Sequence, residues 1–98
     1  MDMESVLAIL RHHAPELRAA GLLHLRLFGS VARGQSTAQS DVDLLAEFDR
    51  SQHMTLVMLG SLESRLSSLL GSRVELSAAE WMRVPVRERA LAEAVLAF

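Results

Sequence analysis

The chain has no cysteine, no lysine and no long apolar run among its 98 residues. Without cysteine it can form neither a disulfide framework nor a thiolate metal site, and its acidic start is unlike a secretory signal, so we expect a cytoplasmic protein. No apolar stretch reaches the roughly 18 to 20 residues that cross a bilayer, so no membrane span is expected. The ten basic residues, all arginines, are scattered from Arg11 to Arg89, which argues against an extended nucleic-acid-binding surface.

The composition that is present is that of an ordinary globular domain. Half of the residues are hydrophobic, 22% are charged and the net charge is -2, so we expect a single domain over residues 1–98. Apolar periodicity predicts an α/β (α+β) fold of order α-β-α-β-α-β-α, in which helices flank a small sheet of at least three strands. Helices are predicted at 3–21, 31–34, 54–70 and from 85 to the end of the chain, with a helical turn at 78–83, and strands at 23–28, 41–48 and 73–77.

Two aspartates, Asp41 and Asp43, lie on one face of the second predicted strand. Their Cα atoms would be about 6.6 Å apart, twice the strand rise. At that distance two carboxylates repel by about 2.5 kcal/mol for an effective dielectric constant of about 20, so the pair is favourable only if a cation binds. Hard oxygen ligands suit Mg²⁺, which takes its other ligands from water and from substrate phosphates. The alternative is a solvated acidic pair at a strand end.

A glycine-serine pair, Gly29-Ser30, follows the first predicted strand. Glycine permits close backbone approach, and a following helical turn offers free N–H groups, so this turn is a candidate phosphate site. The pair recurs at 60–61 and 71–72, but only the first copy precedes the two aspartates. Ten residues separate Ser30 from Asp41, enough for a short helix and a return loop, so we expect both elements at one end of the sheet.

Together, Gly-Ser-Val-Ala-Arg-Gly at 29–34 and Ser-Asp-Val-Asp-Leu at 40–44 resemble the signature of the DNA polymerase β nucleotidyltransferase superfamily. The resemblance is greatest to its minimal nucleotidyltransferases, the antitoxin partners of HEPN toxins, and covers essentially the whole chain. It implies the nucleotidyltransferase fold with a mixed sheet.

The resemblance also implies roles for particular residues. By this resemblance Asp41 and Asp43 would hold two Mg²⁺ ions, and Gly29 and Ser30 would bind the triphosphate of ATP. Glu75 stands where the family carries a third carboxylate, which holds the catalytic metal and helps to deprotonate the attacking hydroxyl. It departs from the family's usual aspartate and is one methylene longer. An exposed strand carboxylate is the alternative for Glu75.

Other side chains leave more than one interpretation open. Arg33 could contact the triphosphate or simply pack its stem on the helical turn. Trp81 and Met82 are expected to cover the sheet edge or a helix face rather than to stack on a base. The four histidines lack metal-ligand spacing, and no zinc site is expected.

The implied function is Mg²⁺-dependent transfer of AMP from ATP to a hydroxyl, a tyrosine of a HEPN-type ribonuclease toxin encoded nearby. The longer Glu75 motivates a different hypothesis, a non-catalytic antitoxin that neutralises its toxin by forming a complex. Transfer to a small molecule such as an aminoglycoside is a third hypothesis, which lacks an acceptor domain in this sequence.

Overall fold

The computed structural model describes residues 1–49, 51 and 53–98. Its strands are β1 (Leu22–Phe28), β2 (Val42–Phe48), β3 (Val74–Ala78) and β4 (Val95–Leu96). Its helices are α1 (Met3–His12), α2 (Ala14–Ala19), α3 (Gly29–Ala32), α4 (Leu56–Leu70) and α5 (Val84–Glu93), with a 3₁₀ turn at Ala79–Trp81. None of the helices in these described ranges is both long and apolar enough to span a membrane.

The strands form one mixed sheet in the order β3-β2-β1-β4. β1 is antiparallel to both β2 and β4, whereas β2 and β3 are parallel. Helix α4 makes the crossover between the parallel pair, as such a connection requires. The predicted class, a small mixed sheet flanked by helices, is therefore confirmed, and β4 is a strand that the sequence pattern did not reveal.

The two faces of the sheet are covered unequally. On one face, alternate residues of β1 and β2 such as Leu25, Leu27 and Leu44 are fully buried beneath α1, α2 and α4. On the other face, Leu45 packs with Ala79 and Ala90 in a smaller cluster under α5. Helix α5 and the 3₁₀ turn cover only part of this face. The start of β2, with its acidic side chains, is therefore partly exposed.

The N-terminal segment forms two helices, so the single helix predicted there is wrong. Helix α1 ends at His12, and α2 begins at Ala14 with Pro15 in its first turn. Proline has no amide hydrogen to donate to the preceding turn and its ring clashes with that turn, so the chain must break and restart. The strand predicted at 23–28 begins one residue earlier, at Leu22. A bulge between Leu22 and His24 buries Leu22 and leaves Leu23 exposed.

The C-terminal helix does not reach the end of the chain, contrary to prediction. It ends at Glu93, and the following residues form β4 against β1. The guanidinium of Arg11 donates to the carbonyl oxygens of Leu96 and Ala97, at 3.0 and 2.8 Å. Phe98 is buried beside them. A sequence pattern cannot distinguish this short strand from a last helical turn because its pairing partner lies about seventy residues away.

We expect Arg11→Ala to destabilise the protein by about 1–2 kcal/mol, since it removes two hydrogen bonds from a charged donor. Urea unfolding measures this change. Arg83→Ala is a suitable control, because Arg83 is exposed and its side chain makes no hydrogen bond with the described residues. Equal midpoints for the two variants would show that Arg11 does not secure β4.

Candidate active site

The structure brings the glycine-serine turn and the acidic strand to one end of the sheet. Gly29 begins α3 directly after β1, and Phe28, the last residue of β1, is paired with Asp43 of β2. The antiparallel pairing therefore places the end of β1 beside the start of β2. The short helix and return loop expected between the two motifs are both present.

Gly29 meets a requirement that no other residue can satisfy. Its φ is 75°, in the left-handed region that glycine adopts readily. A Cβ on Gly29 would lie 3.0 Å from Cγ of Asp43 and would overlap its carboxylate oxygen. The missing side chain thus allows the turn to lie directly against the acidic strand.

Glu75 lies beside Asp43 on the neighbouring strand. The parallel register of β2 and β3 pairs these two residues, with Glu75 exposed and Asp43 half-buried. Partial burial, followed by the negative charges of Glu75 and Asp41, raises the pKa of the Asp43 carboxyl, while the positive charge of Arg33 opposes this change. The three predicted carboxylates therefore interact, as does the arginine that follows the glycine-serine turn.

The carboxylate oxygens are the correct donors for a hard divalent cation, and their mutual repulsion would be relieved by one. Among the described residues, however, no three acidic or histidine side chains are close enough together to hold an ion by themselves. This arrangement fits Mg²⁺, which is commonly bound by one or two carboxylates together with substrate phosphates. It does not fit an ion enclosed entirely by protein ligands.

Glu93, at the end of α5, joins this site although the sequence analysis did not select it. One carboxylate oxygen accepts a hydrogen bond from the Gly29 amide at 3.1 Å. The same carboxylate pairs with Arg33, its oxygens 3.1 and 3.2 Å from Nη1. No sequence signal indicates this contact, because Glu93 is separated from Gly29 by 64 residues and comes near it only through the pairing of β4 with β1.

A groove of about 330 Å³ borders the site on the side of α5. Its lining is mainly apolar, with charged groups at two positions, and consists of Phe28, Met82, Val86, Arg89, Ala90 and Glu93. Met82 also packs against the cluster around Leu45, as predicted, whereas Trp81 is 48% exposed. A larger groove of about 580 Å³ lies at the other end of β2, near Phe48, and contains none of the predicted site residues.

Comparison with known proteins gives one consistent result. A model of the nucleotidyltransferase domain family matches residues 10–97. The protein adenylyltransferase MntA of Thermococcus cleftensis is 33% identical over 97% of this chain and 95% of its own length. A solved structure assigned as a minimal nucleotidyltransferase is 38% identical and superimposes with a TM-score of 0.79, covering 97% of this chain and 95% of that one.

A more distant structure shares the fold. It is the complex of a tri-AMPylated HEPN toxin of Shewanella oneidensis with an MNT antitoxin, matched at 17% identity and a TM-score of 0.69 over 94% of this chain and 71% of that one. At this identity the match shows a common fold only. The family match and the closer relatives, taken with the site geometry, establish that this chain belongs to the nucleotidyltransferase domain family and is an enzyme of that class.

Proposed function

We propose that this protein transfers AMP from ATP to a tyrosine hydroxyl of a HEPN-type toxin, and so silences the toxin. The observation that carries the proposal is the packing of the Gly29 turn against Asp43, with Glu75 in register on the next strand. This geometry supports the assignment of the turn to the phosphates and of the neighbouring carboxylates to the metal. The named activity of the Thermococcus relative and the AMPylated toxin in the Shewanella complex support this choice of reaction and partner.

In the proposed reaction, the hydroxyl oxygen of the acceptor attacks the α-phosphorus of ATP. A new P–O bond forms to the acceptor, the bond between the α-phosphorus and the bridging oxygen breaks, and pyrophosphate leaves. The hydroxyl proton passes to Glu75 and then to solvent. The exposed position of Glu75 suits this role, because an acceptor and water can both reach its carboxylate.

The turn and the carboxylates divide the binding work between them. Gly29, Ser30 and Arg33 bind the triphosphate, and Asp41, Asp43 and Glu75 hold Mg²⁺, two ions in the complete site. Bound Mg²⁺ supplies positive charge that neutralises the phosphates and lowers the pKa of the acceptor hydroxyl. With the triphosphate held at its β- and γ-phosphates, the α-phosphorus faces the acceptor for in-line attack.

The acceptor belongs to another chain in this proposal. The sequence contains no tyrosine, so a tyrosyl-AMP product cannot be an autocatalytic modification of this chain. The proposed partners are therefore ATP and the toxin, without nucleic acid, in the cytoplasm where ATP is available.

Intact-mass spectrometry of the toxin after incubation with this protein, Mg²⁺ and ATP tests the proposal. We expect a gain of one or more AMP units, located on tyrosine by fragmentation, and no gain with the Asp41→Asn/Asp43→Asn double variant. Omission of Mg²⁺ should abolish the gain as well. An unchanged toxin mass under conditions in which the two proteins form a stable complex would contradict the enzymatic proposal.

Toxin neutralisation by the same double variant tests the binding-only alternative. That alternative rests on Glu75, which is longer than aspartate and exposed, and on the absence of a closed three-ligand set among the described residues. A non-catalytic antitoxin would neutralise the toxin equally well with and without the Asp41→Asn/Asp43→Asn changes. A catalytic antitoxin would lose neutralisation with those changes while still binding its partner.

A further inference from the structure

Glu93 contacts two of the three groups that the proposed function assigns to the triphosphate. Its carboxylate accepts from the Gly29 amide and pairs with the Arg33 guanidinium, all at 3.1–3.2 Å. Both side chains of the ion pair are partly exposed, at 37% for Glu93 and 46% for Arg33. The pair therefore lies at the open rim of the site rather than within the core.

The backbone fixes where this carboxylate stands. Glu93 is the last residue of α5, and two residues later Val95 pairs with Leu27 of β1. Because Leu27 is itself two residues before Gly29, the pairing holds the end of α5 beside the start of α3. Arg11 secures β4 from the other side by bonding to its carbonyl groups. The backbone pairing of β4 with β1 therefore holds Glu93 next to the Gly29 turn.

The charges near Asp43 suggest what the contact between Glu93 and Arg33 does. The positive charge of Arg33 acts on Asp43, and Asp43 in turn interacts with the negative charges of Glu75 and Asp41. An unrestrained guanidinium would be attracted to these carboxylates and would compete with a metal ion for them. Glu93 approaches Gly29 from its amide nitrogen, whereas Asp43 occupies the space where a Cβ would be, so the two carboxylates flank the glycine from different directions.

We propose that Glu93 is a positioning residue, which holds Arg33 away from the metal-binding carboxylates and presents it to the β- and γ-phosphates of ATP. The inference rests on the proposed function, since it assumes a triphosphate at the Gly29 turn. Glu93 does not touch the reacting atoms. Its effect is transmitted through Arg33 and through the amide of Gly29.

The test is the affinity of Glu93→Gln for Mg²⁺-ATP and for AMP, measured by calorimetry on the whole chain. Glutamine keeps the size and can still accept from the Gly29 amide, but it lacks the charge that holds Arg33. We expect ATP affinity to fall about five- to tenfold, the range of a lost charged hydrogen bond, and AMP affinity to change much less. Glu88→Gln, an exposed change of the same charge on the same helix, should leave both affinities unaltered.

A double-variant comparison separates positioning from general structural support. If Glu93 acts through Arg33, then Glu93→Gln should have no further effect on ATP affinity in an Arg33→Ala background. Tighter ATP binding by Glu93→Gln would overturn the inference, since the carboxylate would then be a competitor of the phosphates. Equal losses with and without Arg33 would overturn it too, as would equal losses for ATP and AMP.

A replacement variant and the ATP binding of the unmodified protein separate failure of the positioning role from failure of the proposed function. If Glu93→Gln does not fold, Glu93→Asp replaces it, because the shorter side chain moves the carboxylate away from Arg33. This variant should again lower the affinity for ATP more than the affinity for AMP. The difference should be seen only when Arg33 is present. If the unmodified protein transfers AMP but Glu93→Gln binds ATP normally, the positioning role is wrong and the proposed function stands. If the unmodified protein binds no ATP, both are overturned.

Discussion

Asp43→Asn is expected to abolish AMP transfer and, at the same time, to stabilise the metal-free protein. Under the proposed function Asp43 holds Mg²⁺, and a lost metal ligand would cost several kcal/mol of charge stabilisation, so the transfer rate should fall about a thousandfold. Stability should rise because the raised pKa of Asp43 means that its charged form is disfavoured in the folded state. The Tm of Asp43→Asn should therefore lie above that of the unmodified protein when no metal is bound.

The size of this stabilisation depends on pH. The folded protein binds the Asp43 proton more tightly than the unfolded chain does, so stability is lost as the pH rises from the ordinary value of 3.8 through the raised pKa. Above that pKa the full penalty is present, and asparagine removes it. Below 3.8 the carboxyl is protonated in both states, and the advantage of Asp43→Asn should disappear.

Thermal unfolding in EDTA, followed over this pH range, measures the effect. Asp49→Asn is a matched control at the other end of β2, because hydrogen bonds from Ser51 lower the pKa of Asp49 and its loss should lower the Tm or leave it unchanged. A Tm for Asp43→Asn below that of the unmodified protein would show that the charge of Asp43, beside Asp41 and Glu75, does not destabilise the fold. Added Mg²⁺-ATP should stabilise the unmodified protein more than Asp43→Asn.

Gly29→Ala is expected to be more damaging than the addition of a methyl group at Gly34, Gly60 or Gly71. Alanine at a φ of 75° costs about 1–2 kcal/mol, as for any L-residue in the left-handed region. In addition, its methyl group would overlap the Asp43 carboxylate, and such overpacking costs about 1–3 kcal/mol more. Since relief of the overlap requires Asp43 to move, AMP transfer should be lost even in molecules that fold.

Gly34→Ala separates the two causes. Gly34 has nearly the same φ, 71°, but nothing lies within 4 Å of a Cβ built on it. It should therefore lose stability from the backbone alone and keep its transfer activity. Urea unfolding and the toxin mass assay, applied to both variants, check these expectations. Equal stability losses for the two variants, or an active Gly29→Ala, would show that the close approach to Asp43 is not required.

Several elements of this protein could be predicted because their signals are local. The strand predicted at 41–48 is present as β2, and its alternating residues Val42, Leu44 and Ala46 are all buried. The helix predicted at 54–70 ends at Leu70, where Gly71 adopts the left-handed conformation. Prediction failed at the first helix, which Pro15 divides.

The sequence by itself determined the family and the candidate chemistry, because the glycine-serine turn, the two aspartates and their ten-residue spacing are all contained in fifteen consecutive residues. Which distant residues join them depends on the tertiary structure. The parallel register brings Glu75 beside Asp43, and the pairing of β4 with β1 brings Glu93 to Gly29 and Arg33. Strand register and packing depend on interactions across the whole chain, so no local pattern could have specified these contacts.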